Sequence, residues 1–176
     1  MKIENLAPQW SKFQKIGFRF LFIYFILFIC FQNNGAFPYW YVIFKYPFEA
    51  LNAFIPWLCS NVFGIAEEVT YKYTGSVDTL FDYMVVLTLF SIAVFASLIW
   101  SLIDRNQGNY SKLYYWLTVA VRYYIAFMLI DYGFSKIIQL QFAPPGPYRL
   151  ISSIGDTSPM GLAWTFLGFS HVYRVL

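Results

Sequence analysis

The chain has 176 residues, of which 59% are hydrophobic and 12% are charged, and its formal net charge is +3. A soluble domain normally has about a quarter charged residues, so this composition excludes an ordinary soluble protein and indicates a membrane protein. The small, dispersed positive charge gives no indication of a nucleic-acid partner.

The first predicted membrane helix covers residues 13–31 and includes the uninterrupted apolar run FLFIYFILFICF. About 20 apolar residues are needed to cross roughly 30 Å of hydrocarbon, and this segment is long enough. Its basic start is also typical of a signal peptide, but no small-residue cleavage site follows the apolar run. The sequence therefore predicts an uncleaved anchor.

A long segment, residues 32–78, separates the first two predicted membrane helices and is rich in aromatic residues. Its part at 47–63 has few charges and is expected to be broken at Pro56. We expect one or two short helices here that lie in the plane of the interface on the outer surface of the membrane.

The next two predicted membrane helices cover residues 79–103 and 113–138, and a fourth, at 159–176, is of marginal length. The fourth segment has no polar residues after it, so we expect the chain to be truncated, with further helices missing. The predicted fold class is therefore an all-α membrane protein, a bundle of about four transmembrane helices with an outer interfacial helical segment.

Basic residues predict the orientation of the chain in the membrane. They are denser around the start of the first helix and in the link between the second and third helices than in the opposite loops. The residues on that basic side are Lys2, Lys12, Lys15, Arg19, Arg105 and Lys112. Cytoplasmic loops carry the excess of Lys and Arg, so the N-terminus is predicted to be cytoplasmic.

The third helix carries three charged residues, Arg122, Asp131 and Lys136, which form the candidate polar site in the membrane. Arg122 lies about 14 Å deep, near the midplane, where a charge usually faces a bundle interior or a watery cavity. Gly133 shares its side of the helix, so we expect that side to pack against protein. A structural alternative is open for each: a packing arginine, an aspartate at the wet boundary and a lysine that reaches the interface.

Two turns with capping residues precede the second and fourth helices. Asp78 lies before the second helix, and Asp156 and Ser158 come before Pro159 at the start of the fourth. Side-chain oxygens at these positions cap helices, and proline is favoured at the first helical position. Asp78, Asp156 and Ser158 are therefore predicted to be simple caps or, alternatively, to frame a polar pocket on the outer face.

The cysteines and the histidine indicate no familiar catalytic site. Cys30 and Cys59 form no CxxC pair, although a disulfide between them is open, and His171 is the single histidine. The sequence predicts no metal site and identifies no catalytic residue, so whether the protein is an enzyme is left open.

The pattern of Arg122 followed by Gly133-Phe134-Ser135-Lys136 resembles the opening helix of the DoxX family, which are small bacterial membrane proteins. The turn before the fourth helix is similar to that of a longer DoxX-like subgroup with an N-terminal extension. The resemblance implies an extension at residues 1–112 and the start of a DoxX-like bundle at 113–176, in the bacterial cytoplasmic (inner) membrane.

The resemblance also implies a role as a partner subunit in an envelope redox process, linked to quinones or thiols, and a quinone is the candidate cofactor. The partners would be the lipid bilayer and other membrane subunits. Two alternatives stay open. One is a transporter or cargo-type protein with a polar path lined by Arg122, Asp131 and Lys136, and the other is a structural or assembly protein.

Overall fold

The computed structural model describes residues 9–65, 69–71, 77–138, 140 and 142–175. Within that part the chain is all-helical and has no strand. The α-helices are α1 (Lys12–Phe31), α2 (Trp40–Ile43), α3 (Lys45–Asn61), α4 (Leu80–Ile103), α5 (Ser111–Ile137), α6 (Pro147–Ile151), α7 (Pro159–Phe169) and α8 (His171–Val175), with a 3₁₀ turn at Ile154–Asp156. Lys2 lies outside the described residues, as do residues 75 and 76 of the turn that precedes the second membrane helix.

Three of these helices, α1, α4 and α5, are long and apolar enough to cross a membrane, with 20, 24 and 27 residues. This confirms the first three predicted membrane helices to within two residues at each end. Their starts follow from local chemistry: Ser11 and Gln14 form a capping box at α1, and Thr79 and Asp82 exchange the equivalent bonds at α4.

The predicted fourth membrane helix, at 159–176, is not confirmed. The segment forms two separate helices, because Ser170 has an extended backbone (φ −87°, ψ 120°) that ends α7. At 1.5 Å per residue the 11 residues of α7 span only about 16 Å, roughly half of the hydrocarbon thickness. The described chain therefore has three membrane-length helices instead of four.

The predicted break at Pro56 is wrong, since α3 continues from Lys45 to Asn61 with this proline inside it. A proline removes one backbone hydrogen bond and crowds the preceding turn, but packing can hold such a helix together. Ile55 and Cys59, on either side of it and four residues apart, are almost completely buried, with 0% and 1% of their surface exposed. One face of α3 is thus fixed by tertiary packing across the proline.

The chain forms two compact units, and each consists of two separate stretches of the sequence. The first contains residues 9–33 and 87–125 of the described chain, and the second contains residues from 34–86 and 126–175. Helices α4 and α5 contribute residues to both. The division at residue 112, which the resemblance implies, stays a prediction.

In the first unit, α1 packs against α4 and α5 through aromatic side chains. Phe20 meets Phe90 of α4 edge to face at 5.3 Å between ring centroids, and Phe28 meets Tyr124 of α5 at 6.3 Å. The Tyr124 hydroxyl also donates a hydrogen bond to the carbonyl of Gln32, just after the end of α1. Such aromatic pairs add stability beyond the area they bury.

One face of α4 has small residues at four-residue spacing, at positions 93, 97 and 101. Ala93 and Ser97 are buried, with 0% and 4% of their surface exposed. Small residues at four-residue spacing let helix backbones approach closely. The Ser97 hydroxyl donates to the carbonyl of Val94 within its own helix, so this polar group is satisfied without a partner helix.

In the second unit, Gly35 packs against the carboxylate of Asp131. Gly35 has a φ of +79°, a value that residues other than glycine rarely adopt. A Cβ at this position would lie 2.5 Å from Asp131 Oδ2. The backbone conformation therefore favours glycine at this turn, and a Cβ there would in addition displace the Asp131 carboxylate.

Replacing Gly35 with Ala should therefore destabilise the protein more than the matched change Gly64→Ala. Gly64 also has a positive φ, +64°, but a Cβ there has nothing within 4 Å. The left-handed conformation costs an alanine about 1–2 kcal/mol, and Gly35→Ala adds the collision with Asp131. Thermal unfolding in detergent measures the difference. The second change Asp131→Ala should bring Gly35→Ala towards the Gly64→Ala value, and equal losses for both single variants would refute the contact.

Candidate functional site

The best-formed polar cluster of the described chain is built around Arg19 of α1, which is 4% exposed. Its Nε donates to the hydroxyl of Tyr110 at 2.8 Å, and its Nη2 donates to the backbone carbonyl of Asp104. The Tyr110 hydroxyl in turn donates to Asp104 Oδ2 at 2.7 Å. A guanidinium that cannot lose its proton is thus joined to a carboxylate through a phenol.

Aromatic rings surround this cluster on several sides. The Tyr110 ring stacks on Phe18 at 5.3 Å and meets Trp100 edge to face at 5.5 Å, and the Arg19 guanidinium lies 5.3 Å from its centroid. Trp10 contacts both Phe18 and Tyr110 edge to face. Arg19 and Tyr110 are each only 4% exposed, and a hydrogen bond between buried groups is stronger than one in water. This cluster of Arg19, Tyr110 and Asp104 with its rings is called the Arg19 clamp below.

The pKa values of Asp104 and Tyr110 shift in opposite directions. The hydrogen bond from Tyr110 lowers the pKa of Asp104, and the indole of Trp100 and the charge of Arg19 act in the same direction. Burial raises the pKa of Tyr110, and its hydrogen bond to Asp104 adds to this. At neutral pH the clamp therefore contains an arginine cation, a neutral phenol and a carboxylate, an arrangement that joins α1 to the link after α4.

Sequence reasoning missed this clamp because Arg19 counted as one of the basic residues that flank the first helix. Arg19 lies inside α1, about 10 Å from its start at 1.5 Å per residue, too deep for a flank. A signal was present in the sequence. Asp104 follows the apolar run of α4, and on the predicted topology it lies on the same side of the membrane as Arg19.

Removing the hydroxyl of Tyr110 should weaken the fold measurably. Tyr110→Phe leaves the buried Arg19 Nε without its acceptor, while Asp104 Oδ2 keeps the indole N–H of Trp100 at 3.3 Å. An unsatisfied buried polar group such as this Nε costs about 1–3 kcal/mol. Tyr114→Phe is the matched control, because Tyr114 belongs to the same aromatic cluster but is 56% exposed. Thermal unfolding in detergent should show a loss for Tyr110→Phe and almost none for Tyr114→Phe. A neutral Tyr110→Phe would mean that the clamp contributes little.

Arg122, the centre of the predicted polar site, is exposed on α5. The residues that α5 buries are Leu117 and Tyr124. At 100° per residue these lie about 140° and 160° around the helix from Arg122, so α5 turns its opposite side to the rest of the first unit. Among the described residues Arg122 makes no hydrogen bond and no ion pair. The expected packing of its side against protein is not provided by the described chain.

The other two charged residues of α5 have separate surroundings. Asp131 is exposed and its carboxylate lies against Gly35. Lys136 is in the last turn, where a cation is favoured by the helix dipole, and its Nζ is 6.0 Å from the centroid of the Tyr132 ring. Asp131 and Lys136 thus have local contacts of different kinds, and neither is part of the Arg19 clamp.

Of the three predicted caps, Ser158 caps the expected helix, whereas Asp78 and Asp156 do not. Ser158 occupies the cap position of α7, accepting from Gly161 N at 3.1 Å, with Pro159 at the first helical position. Asp78 does not cap α4, where Thr79 has that position. It accepts instead from the backbone N–H of Met160 at 2.8 Å, so it binds the start of α7. Asp156 lies exposed in the 3₁₀ turn and caps no helix of the described chain.

These three residues therefore do not act as three simple caps. Asp78 and Ser158 meet at one helix start, because the first turn of α7 has backbone N–H groups that need acceptors and favours negative charge. Since α7 begins with a proline, the two N–H groups that are bonded belong to Met160 and Gly161. Asp78 is thus an acceptor for a helix that follows it by 82 residues in the chain.

The chain matches no known family model, no curated protein and no solved structure. Its class accordingly rests on its own fold. Three apolar helices of membrane length define a multi-pass membrane protein. Among the described residues, neither Cys30 nor Cys59 forms a disulfide.

Proposed function

We propose that this protein is a membrane subunit of a multi-subunit assembly, and that its α5 surface is the side on which other subunits bind. The observation that carries the proposal is the exposure of Arg122 within a helix of membrane length. Arg122 lies about 17 Å from the first residue of α5 and about 22 Å from the last, so it cannot lie near either interface.

The composition of the α5 surface supports the same proposal. For each of the three membrane-length helices we compare how much of an 18-residue apolar stretch is buried. This share is smallest in α5, at 11%, against 17% in α1 and 22% in α4. Charged residues within membrane helices usually face protein or water. A charged helix that its own chain leaves this open is typical of a subunit that is completed by others.

The nature of the assembly is proposed from the resemblance of Arg122 and Gly133-Phe134-Ser135-Lys136 to the DoxX family. On that basis the protein is a DoxX-like subunit of the bacterial cytoplasmic membrane that takes part in an envelope redox process, linked to quinones or thiols. The transporter alternative needs Arg122, Asp131 and Lys136 on one path, whereas all three are exposed and Asp131 and Lys136 have different neighbours. We therefore prefer the subunit.

The proposed orientation has a cytoplasmic N-terminus and the residues between α1 and α4 outside, with α3 lying along the interface. Thiol labelling of Asn33→Cys and Asn106→Cys in intact cells, with Cys30 and Cys59 replaced by Ala, tests it. An impermeant reagent should label position 33 and should not label position 106. Labelling of position 106 from outside would contradict the orientation.

Isolation of the protein from its native membrane in a mild detergent tests the proposed function. We expect it to migrate on native gels as a complex that contains other membrane proteins. A redox role predicts a bound quinone in the lipid extract of that complex, or a thiol–disulfide change in one of its subunits on reduction. A protein that migrates alone at the mass of its own chain would contradict the subunit proposal.

A further inference from the structure

One stripe of α5 in the first unit has both a charge at mid-depth and an uncovered surface. It consists of Tyr115, Thr118, Arg122 and Ile125, which repeat at the three- and four-residue spacing of one helix face. Tyr115 is 62% exposed and Ile125 is 44% exposed. The Thr118 hydroxyl donates to the carbonyl of Tyr114 in its own helix. We call this stripe the Arg122 face.

The Arg122 face has no group that satisfies its guanidinium. Arginine has five N–H donors and stays charged at every accessible pH, so it cannot become neutral as a buried lysine or carboxylate can. Hydrocarbon offers no acceptors, and in the described chain Arg122 has no hydrogen bond or ion pair. The three long helices have no carboxylate at this depth, so an anionic acceptor comes from outside the described chain.

A second copy of the chain in the same orientation does not supply that acceptor. Symmetry about an axis normal to the membrane brings residues of equal depth together, so paired α5 helices would place Arg122 against Arg122. The sequence of α1 has no Asp or Glu, and the acidic residue of α4 is Asp82 in its first turn. Neither helix has a carboxylate near its middle.

We propose that the Arg122 face binds a transmembrane helix of a different protein, and that this helix carries an Asp or Glu at the depth of Arg122. This inference rests on the proposed role as a membrane subunit and specifies the chemistry of the partner. A carboxylate can accept two parallel N–H bonds from the planar guanidinium, which satisfies both groups and fixes the depth of one helix relative to the other. The exposed Tyr115 and Ile125 lie against apolar side chains of the partner.

Site-specific photocrosslinking of the full chain in its native membrane tests the proposal. A photoreactive side chain at Ile125 is on the Arg122 face, and one at Tyr123 is the control, since Tyr123 is 60% exposed at the same depth but about 100° around the helix. We expect the Ile125 probe to label a membrane span of another protein, and the labelled span to contain an Asp or Glu. Labelling from Tyr123 should be weaker.

Charge changes test whether Arg122 and the carboxylate bind each other. Arg122→Met should lower the Ile125 crosslink by a few-fold to about tenfold, in the range of an interhelical polar contact, while Arg122→Lys retains part of it. Arg122→Glu should abolish the crosslink, and Arg in place of the partner's carboxylate should restore it. Circular dichroism and a single elution peak in detergent establish that each variant is folded.

Several outcomes would overturn the inference. They are an Ile125 crosslink to a second copy of this chain, adducts to lipid alone, a labelled span without a carboxylate, or failure of the charge reversal to restore the crosslink. If partners remain on native gels but attach through other faces, this inference fails and the subunit proposal stands. If the protein migrates alone, both fail.

Discussion

The fold of the first unit depends on one constraint, that the buried cation Arg19 must be hydrogen-bonded where it lies. A guanidinium with 4% exposure is stable only if its donors find acceptors, and Tyr110 and Asp104 provide them. This requirement fixes the link after α4 against the start of α1, because both acceptors belong to residues 104–110. The rings of Trp10, Phe18 and Trp100 then pack around the bonded groups. The Arg19 clamp is thus a set of hydrogen bonds within an otherwise apolar contact. These bonds determine where α1 contacts the turn between α4 and α5.

Arg122 also needs hydrogen-bond acceptors when it is away from water, but the described chain does not provide them. Both arginines lie within helices of membrane length, but Arg19 is buried and bonded while Arg122 is exposed. The difference follows from α5 itself, which turns Leu117 and Tyr124 inward and Arg122 to the other side. One arginine therefore completes the chain's own packing, and the other is available to a partner. The contrast separates a structural from a binding role for two residues of identical chemistry, and it is the physical basis of the proposed function.

The long apolar segments were predictable because length and composition alone determine a membrane helix, and α1, α4 and α5 were placed to within two residues at each end. The errors arose where composition does not decide the structure. The end of α7 at Ser170 and the continuation of α3 through Pro56 depend on local backbone and packing that composition does not report. Asp78 was expected to serve the next helix, but it binds the start of α7, which no local pattern indicates. The charged residues of α5 were identifiable, whereas the side that each one faces needed the structure.

The central claim is that Arg19 stabilises this chain and Arg122 does not. The most direct measurement is the thermal unfolding temperature in detergent of Arg19→Met and Arg122→Met, compared with the unchanged protein. Arg19→Met leaves Asp104 and Tyr110 without their cation, so we expect a clear fall, equivalent to about 1–3 kcal/mol for the lost bonds. Arg122→Met removes an exposed charge and should leave the unfolding temperature unchanged or raise it slightly. A marked fall for Arg122→Met, or none for Arg19→Met, would contradict the account.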